Sequence, residues 1–209
     1  MKRFCLLLLV ALASCSGPGI KTGDLLFIGI PEDYMPGKGS MDEAIAASTG
    51  NGQLNLIHTA ILEKTHDGVM VIDATLARGV DRHPLDTLMK DFTLEGGKMP
   101  VFIVKRLRRG FSPRFIDNAK SYLGEKYDCT FTPGNDEKYC TELVQVSYVR
   151  DGESLFESRP MNFKDADGVI PEYWEWLFGK LGMPVPQDEP GTNPQDMAAS
   201  PLLKEVLRF

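Results

Sequence analysis

Histidine is scarce in this 209-residue sequence, which has three, at positions 58, 66 and 83. Chemistry that needs several imidazoles is thereby restricted to a few combinations. H-E-x-x-H, C-x-x-C, G-x-S-x-G and the Walker-type G-x-x-x-x-G-K-[ST] are all missing, so zincin, dithiol, serine-elbow and P-loop chemistries have no signature. The "GKG" at 37–39 stands without the context of a phosphate site. Positive charge is short as well: 23 Lys and Arg against 29 Asp and Glu leave a formal net charge of −6. Such an acidic chain is a poor partner for nucleic acid. Its one basic cluster, Lys105 to Arg109, closes a strand-like run and reads as a solvated strand end.

Long apolar runs are absent but for one. Phe4 to Ala13 is unbroken and follows a basic Met1-Lys2-Arg3, yet it is too short to span a bilayer. Basic start, apolar centre and small residues together predict a secretory signal over residues 1–14. Leu12-Ala13-Ser14-Cys15 matches a bacterial lipobox, so Cys15 is expected to carry lipid and residues 15–22 to form a tether. Losing Lys2 and Arg3 takes the formal charge from −6 to −8. The predicted address is the cell envelope, lipid-anchored, on the periplasmic face of the outer membrane. Cleavage elsewhere, with an incidental Cys15, is the plainer alternative.

Of the four cysteines, only Cys129 and Cys140 remain in the folded part on this reading. In an oxidising compartment the bland expectation is that they pair with each other. Their neighbourhoods differ, however. Cys140 precedes "TELVQVSYV" and falls in the first turn of an expected helix, where unpaired N–H groups and the macrodipole favour a thiolate. The same N–H groups can receive an oxyanion. Taken alone, Cys140 reads as a small buried hydrophobe.

His58, in "LIHTAIL", changes that balance. Strict alternation puts Leu56, His58, Ala60 and Leu62 on one face of a strand and Ile57, Thr59 and Ile61 on the other. An imidazole in so apolar a run needs a partner, although by itself it also fits a core histidine bonded to a backbone carbonyl. Asp73 on the neighbouring strand can face the same way and hold the ring; Asp24 and Asp128 are lower-ranked rivals. His66 and His83 fall in loop-like polar contexts. Metal binding by His58, His66 and Asp73 matches no standard spacing, so no metal and no cofactor are expected.

Along the chain, Asp24–Ile30, Asn55–Glu63, Val69–Thr75 and Pro100–Leu107 read as strands, the middle two joined by an Asp67-Gly68 hairpin signal. Helices are expected after Ser40 (with Glu43 as a capping box), over 84–92, after Ser112-Pro113, at Cys140 and over 171–181. Residues 184–209 are Pro-rich and read as an extended wrap ending in a short amphipathic segment. The order of elements predicts an α+β fold around an antiparallel sheet, with the main domain over 23–183.

"GDLLF" at 23–27, "HTAIL" at 58–62, "VIDAT…GV" at 71–80, "YD…F" at 127–131 and "YCTELV" at 139–144 occur in a familiar order. Over roughly residues 22–180 the chain resembles the permuted NlpC-type papain-like cysteine hydrolases of the YiiX group. That resemblance implies a circularly permuted papain-like fold, with Cys140 as nucleophile and His58 as general base. The family's third polar position, often Glu, falls on Asp73, shorter by one methylene. The implied activity is an envelope hydrolase acting on a peptidoglycan peptide or on an acyl or lipid substrate. The alternative is a non-catalytic lipoprotein that holds a ligand in the same cleft.

Overall fold

The computed structural model describes residues 19–31, 39–50 and 54–209. The signal-like start, the lipobox and Cys15 lie outside the described residues. Six antiparallel strands form the main sheet, in the order β10-β5-β1-β2-β3-β4. They are β1 (Asp24–Pro31), β2 (Leu54–Lys64), β3 (Val69–Thr75), β4 (Gly79–Pro84), β5 (Val101–Leu107) and β10 (Leu203–Arg208). Short pairs β6 (Val149–Arg150) with β7 (Glu153–Ser154), and β8 (Arg159–Pro160) with β9 (Pro190–Gly191), lie outside it. The helices are α1 (Met41–Thr49), α2 (Leu85–Asp91), α3 (Arg114–Ser121), α4 (Cys140–Ser147), α5 (Glu172–Leu181) and α6 (Pro194–Ala198). The α+β architecture expected from the sequence is the observed one.

The run "DLLFIGI" becomes β1 because both of its faces are covered, as an unbroken apolar strand requires. Leu25 and Phe27 pack with Phe115, Leu143, Val144 and Tyr148 of the α3–α4 side. Leu26 and Ile28 pack on the opposite side with Phe102, Val104 and Leu88 of α2. A third cluster, rich in aromatic rings, joins α1 and α5 to the loop before α4 through Phe131, Tyr139, Phe163, Trp174 and Phe178.

Three elements differ from expectation. Alternation fails in β2, where Ile28 faces His58 but Gly29 already faces Leu56. Ile57 is the extra residue of a bulge. Leu56 therefore joins the cluster of Ile61, whereas Ile57 joins Ala60 and Leu62. Gly29 fits there because a Cβ would lie 2.7 Å from the Leu54 side chain. The stretch before Pro84, expected to be loop, is strand β4, whose pairing with β3 overrides its turn-like composition. The Pro-rich tail is more than a wrap: it contains α6 and β10, and β10 adds an edge strand beside β5.

That edge also accounts for the basic cluster, which is not a free solvated end. Arg106 grips Asp24 through Nε–Oδ1 at 2.6 Å and Nη2–Oδ2 at 2.8 Å. The Lys105 ammonium donates to the Ala198 carbonyl at 2.6 Å, and the Arg108 Nε donates to the Pro201 and Leu203 carbonyls. Lys105 and Arg108 thereby fasten the returning tail to the sheet, and Arg106 ties β5 to β1.

Candidate active site

The ladder between β2 and β3 runs only from Lys64↔Val69 to Ile61↔Ile72. Beyond it the two strands part, and α4 packs against both. His58 and Asp73 stand on the two sides of this opening, with His58 Nε2 2.8 Å from Asp73 Oδ2. Both side chains are buried, Asp73 at 1 % and His58 at 5 % exposure. The other flat side of the imidazole meets Phe92, with ring centroids 4.7 Å apart. Packed against Phe92 and bonded to Asp73, the ring has little freedom to rotate.

Cys140 is the first residue of α4, at the end of a loop that its own polar groups hold in shape. Asp128 accepts from the Thr130 N–H at 2.7 Å and from the Thr132 N–H at 3.2 Å, and backbone bonds tie Lys138 to Lys126 and Asp128. The loop also holds Phe131 at φ 52°, an uncommon conformation for a bulky residue. Its ring is buried among Tyr139, Phe163 and Trp174.

The Cys140 sulfur lies near enough to the His58 ring to act on its charge. With Nε2 committed to Asp73, Nδ1 is the nitrogen left for the thiol. Burial alone would strip His58 of its proton. The bond to Asp73 and the nearby Cys140, with the charges they carry, outweigh that effect and raise its pKa well above the ordinary value. His58 therefore holds its proton tightly beside the Cys140 sulfur. The first N–H groups of α4 lack acceptors within the helix, which makes them the donors available to an oxyanion formed at Cys140.

The flanks of the nucleophile are pinned from afar. The Thr141 hydroxyl donates to the Thr192 carbonyl at 2.7 Å, and the Thr192 N–H donates to the Tyr139 hydroxyl at 3.3 Å. Gly191 has no room for a side chain, since a Cβ would lie 2.8 Å from that same hydroxyl.

The structure thus brings His58, Asp73 and Cys140 together. It leaves out the two rival acids, because Asp24 is bound to Arg106 and Asp128 caps its own loop. Cys129 and Cys140 are both free thiols, so the expected alternative of a disulfide between them is absent. His66 is exposed beside Asp67.

His83 corrects the sequence reading. It lies on β4, buried, and not in a loop. Its Nδ1 is 3.8 Å from Asp73 Oδ1 and 3.5 Å from Asp81 Oδ2, which puts a second imidazole behind the acid. The only signal was register: Val71 faces His83 and Asp73 faces Asp81 once β3 and β4 pair.

Residues 19–207 match the family of permuted papain-like amidase enzymes, YaeF/YiiX, C92 family. The chain belongs to this family. It is 25% identical over 192 residues to the uncharacterized protein YiiX of Escherichia coli K12, covering 90% of this chain and 86% of that one. A crystal structure of YiiX from Escherichia coli O157:H7, described as a metalloprotein, superposes with a TM-score of 0.68 at 25% identity. That match covers 90% of this chain and 97% of the E. coli chain. The family places the protein among papain-like amidases and hydrolases. Among the described residues no three His, Cys, Asp or Glu side chains converge in a way that would hold a metal ion. The chemistry below is built on side chains alone.

Proposed function

We propose that this protein is a cysteine amidase of the bacterial cell envelope, with Cys140 as nucleophile, His58 as acid–base group and Asp73 as the residue that orients His58. The observation that carries the reading is the buried His58–Asp73 pair, with Nε2 2.8 Å from Oδ2, and Cys140 at the head of α4 within its electrostatic reach. In the first half-reaction the Cys140 sulfur bonds to the carbonyl carbon of the substrate. The oxyanion is received by N–H groups at the start of α4, the C–N bond breaks, and the His58 proton passes to the leaving nitrogen. In the second half-reaction His58 takes a proton from water, the hydroxide bonds to the acyl carbon, and the C–S bond breaks. Asp73 keeps one tautomer in register throughout.

The envelope address follows from the signal-like start and lipobox of the sequence, and the substrate class from there: a peptidoglycan peptide or an acyl compound held near a membrane. A thiol-directed acyl probe tests the chemistry. Wild type and Cys129→Ala are expected to acquire the acyl group, whereas Cys140→Ala does not. Equal labelling of Cys140→Ala rejects the assignment. The address is tested by palmitate incorporation, which Cys15→Ala should abolish.

A further inference from the structure

Two cavities meet at the Cys140–His58 pair, and their chemistry differs. Cys140 opens into a cleft of about 480 Å³ whose walls include Tyr127, Phe131, Met161, Phe163 and Trp174. Among the described residues no Asp, Glu, Lys or Arg lines it. Two of its polar side chains already have partners: Ser48 accepts from the Trp174 indole at 3.2 Å, and Asn193 accepts from the Asp196 N–H at 2.8 Å. His58 opens into a second cavity of about 870 Å³, which shares Ile45 and Tyr127 with the first and contains Asp42, Arg78 and Asp91. Arg78 is held by Asp91 at 2.6 Å. Among the described residues no cation pairs with the carboxylate of Asp42, although His58 lies within its electrostatic reach.

The order of bond making assigns a half of the substrate to each cavity. The acyl carbon becomes bonded to the sulfur, so the acyl chain continues into the cavity that contains Cys140. The leaving nitrogen takes its proton from His58, so it lies in the cavity that contains His58. We propose that the substrate is an amide whose acyl half is apolar and uncharged, seated in the aromatic cleft, and whose leaving amine carries a second, cationic group paired with Asp42. This rests on the assignment of Cys140 and His58 above and narrows its substrate class. A carboxylate on the acyl half would be buried among rings with no cationic side chain among the described residues to meet it. An anionic leaving group would face Asp42 and Asp91. The burial-raised pKa of Asp42 fits an acid that awaits a cation.

Activated esters and free amines test the two halves separately. Full-length protein is treated with p-nitrophenyl hexanoate or with mono-p-nitrophenyl adipate, which adds a terminal carboxylate. Acylation is read as p-nitrophenol release and as added mass on Cys140. The hexanoate is expected to acylate at least about tenfold faster. The acyl-enzyme is then partitioned between water and 1,5-diaminopentane or 5-aminopentanol at pH 8.5. The diamine is expected to capture the acyl group about fivefold better, the effect of one partly exposed ion pair. Asp42→Asn should erase the preference between amines and leave the preference between esters.

Adipate acylating as fast as hexanoate overturns the acyl half. Equal capture by the two amines, or a preference that survives in Asp42→Asn, overturns the amine half. Acylation that persists in Cys140→Ala, or none in wild type, rejects the nucleophile itself along with both halves.

Discussion

Cys129 and Cys140 lie on the same passage from loop to helix, yet their surroundings treat a thiolate in opposite ways. Cys129 is half-buried, and burial, with the neighbouring charges of Asp128 and Glu137, raises its pKa. Cys140 heads a helix and lies near an imidazole whose bond to Asp73 helps it hold its proton. One sulfur is discouraged from ionising by apolar walls and acids. The other has a counter-ion and a helix end. Sequence proximity is therefore no guide to thiol reactivity here; the sheet that carries His58 and Asp73 makes the difference.

That contrast can be broken at several points. His58→Ala removes the counter-ion and proton carrier together, and amidase turnover should fall by about 10³-fold or more. The remaining rate of Cys140 alkylation by iodoacetamide should then approach that of Cys129. Asp73→Asn keeps the shape and removes the charge, with an expected loss on the order of 10²-fold. The sign of its pH effect is fixed. Asp73 raises the His58 pKa, and the His58 proton is lost as pH rises through that raised value. The variant should therefore lose activity at lower alkaline pH than wild type, as read from kcat/KM profiles.

A smaller effect concerns Glu142, in the first turn of α4. Burial raises its pKa to about 7, against 4.5 in the unfolded chain, so the folded state holds the proton more tightly. Stability from this group is present at low pH and is lost as pH rises from about 4.5 to 7. Glu142→Gln should lose less melting temperature between pH 5 and pH 8 than wild type does. Smallest of all is Cys129→Ser, expected to change kcat/KM by less than about twofold, in contrast to any substitution at Cys140.

Much of this architecture was legible because its strongest signals are local. Apolar runs marked β1, β2, β3 and β5, and the Ser40 cap marked α1, whose Glu43 N–H donates to the Ser40 hydroxyl. The pairing of His58 with Asp73 followed from the hairpin at Asp67-Gly68. What alternation could not show was the bulge at Ile57, since one extra residue changes the face of everything before it. His83 was hidden for a related reason: "GVDRHP" has turn-like composition, and only pairing with β3 makes it a strand. The aromatic cleft gathers Phe131, Met161, Phe163 and Trp174 from separate segments, so no window of sequence contains it. Likewise, β10 is a strand because β5 offers it an edge.

The bonds that Thr192 makes to Tyr139 and Thr141 grip the nucleophile from both sides, and they come from a segment some fifty positions downstream. Neither bond belongs to the ladders of the main sheet. Competence and foldedness can consequently part company: a nick or a displaced turn near Thr192 would leave a well-packed protein whose sulfur is out of line. A melting curve would not register such damage, and only a turnover assay would.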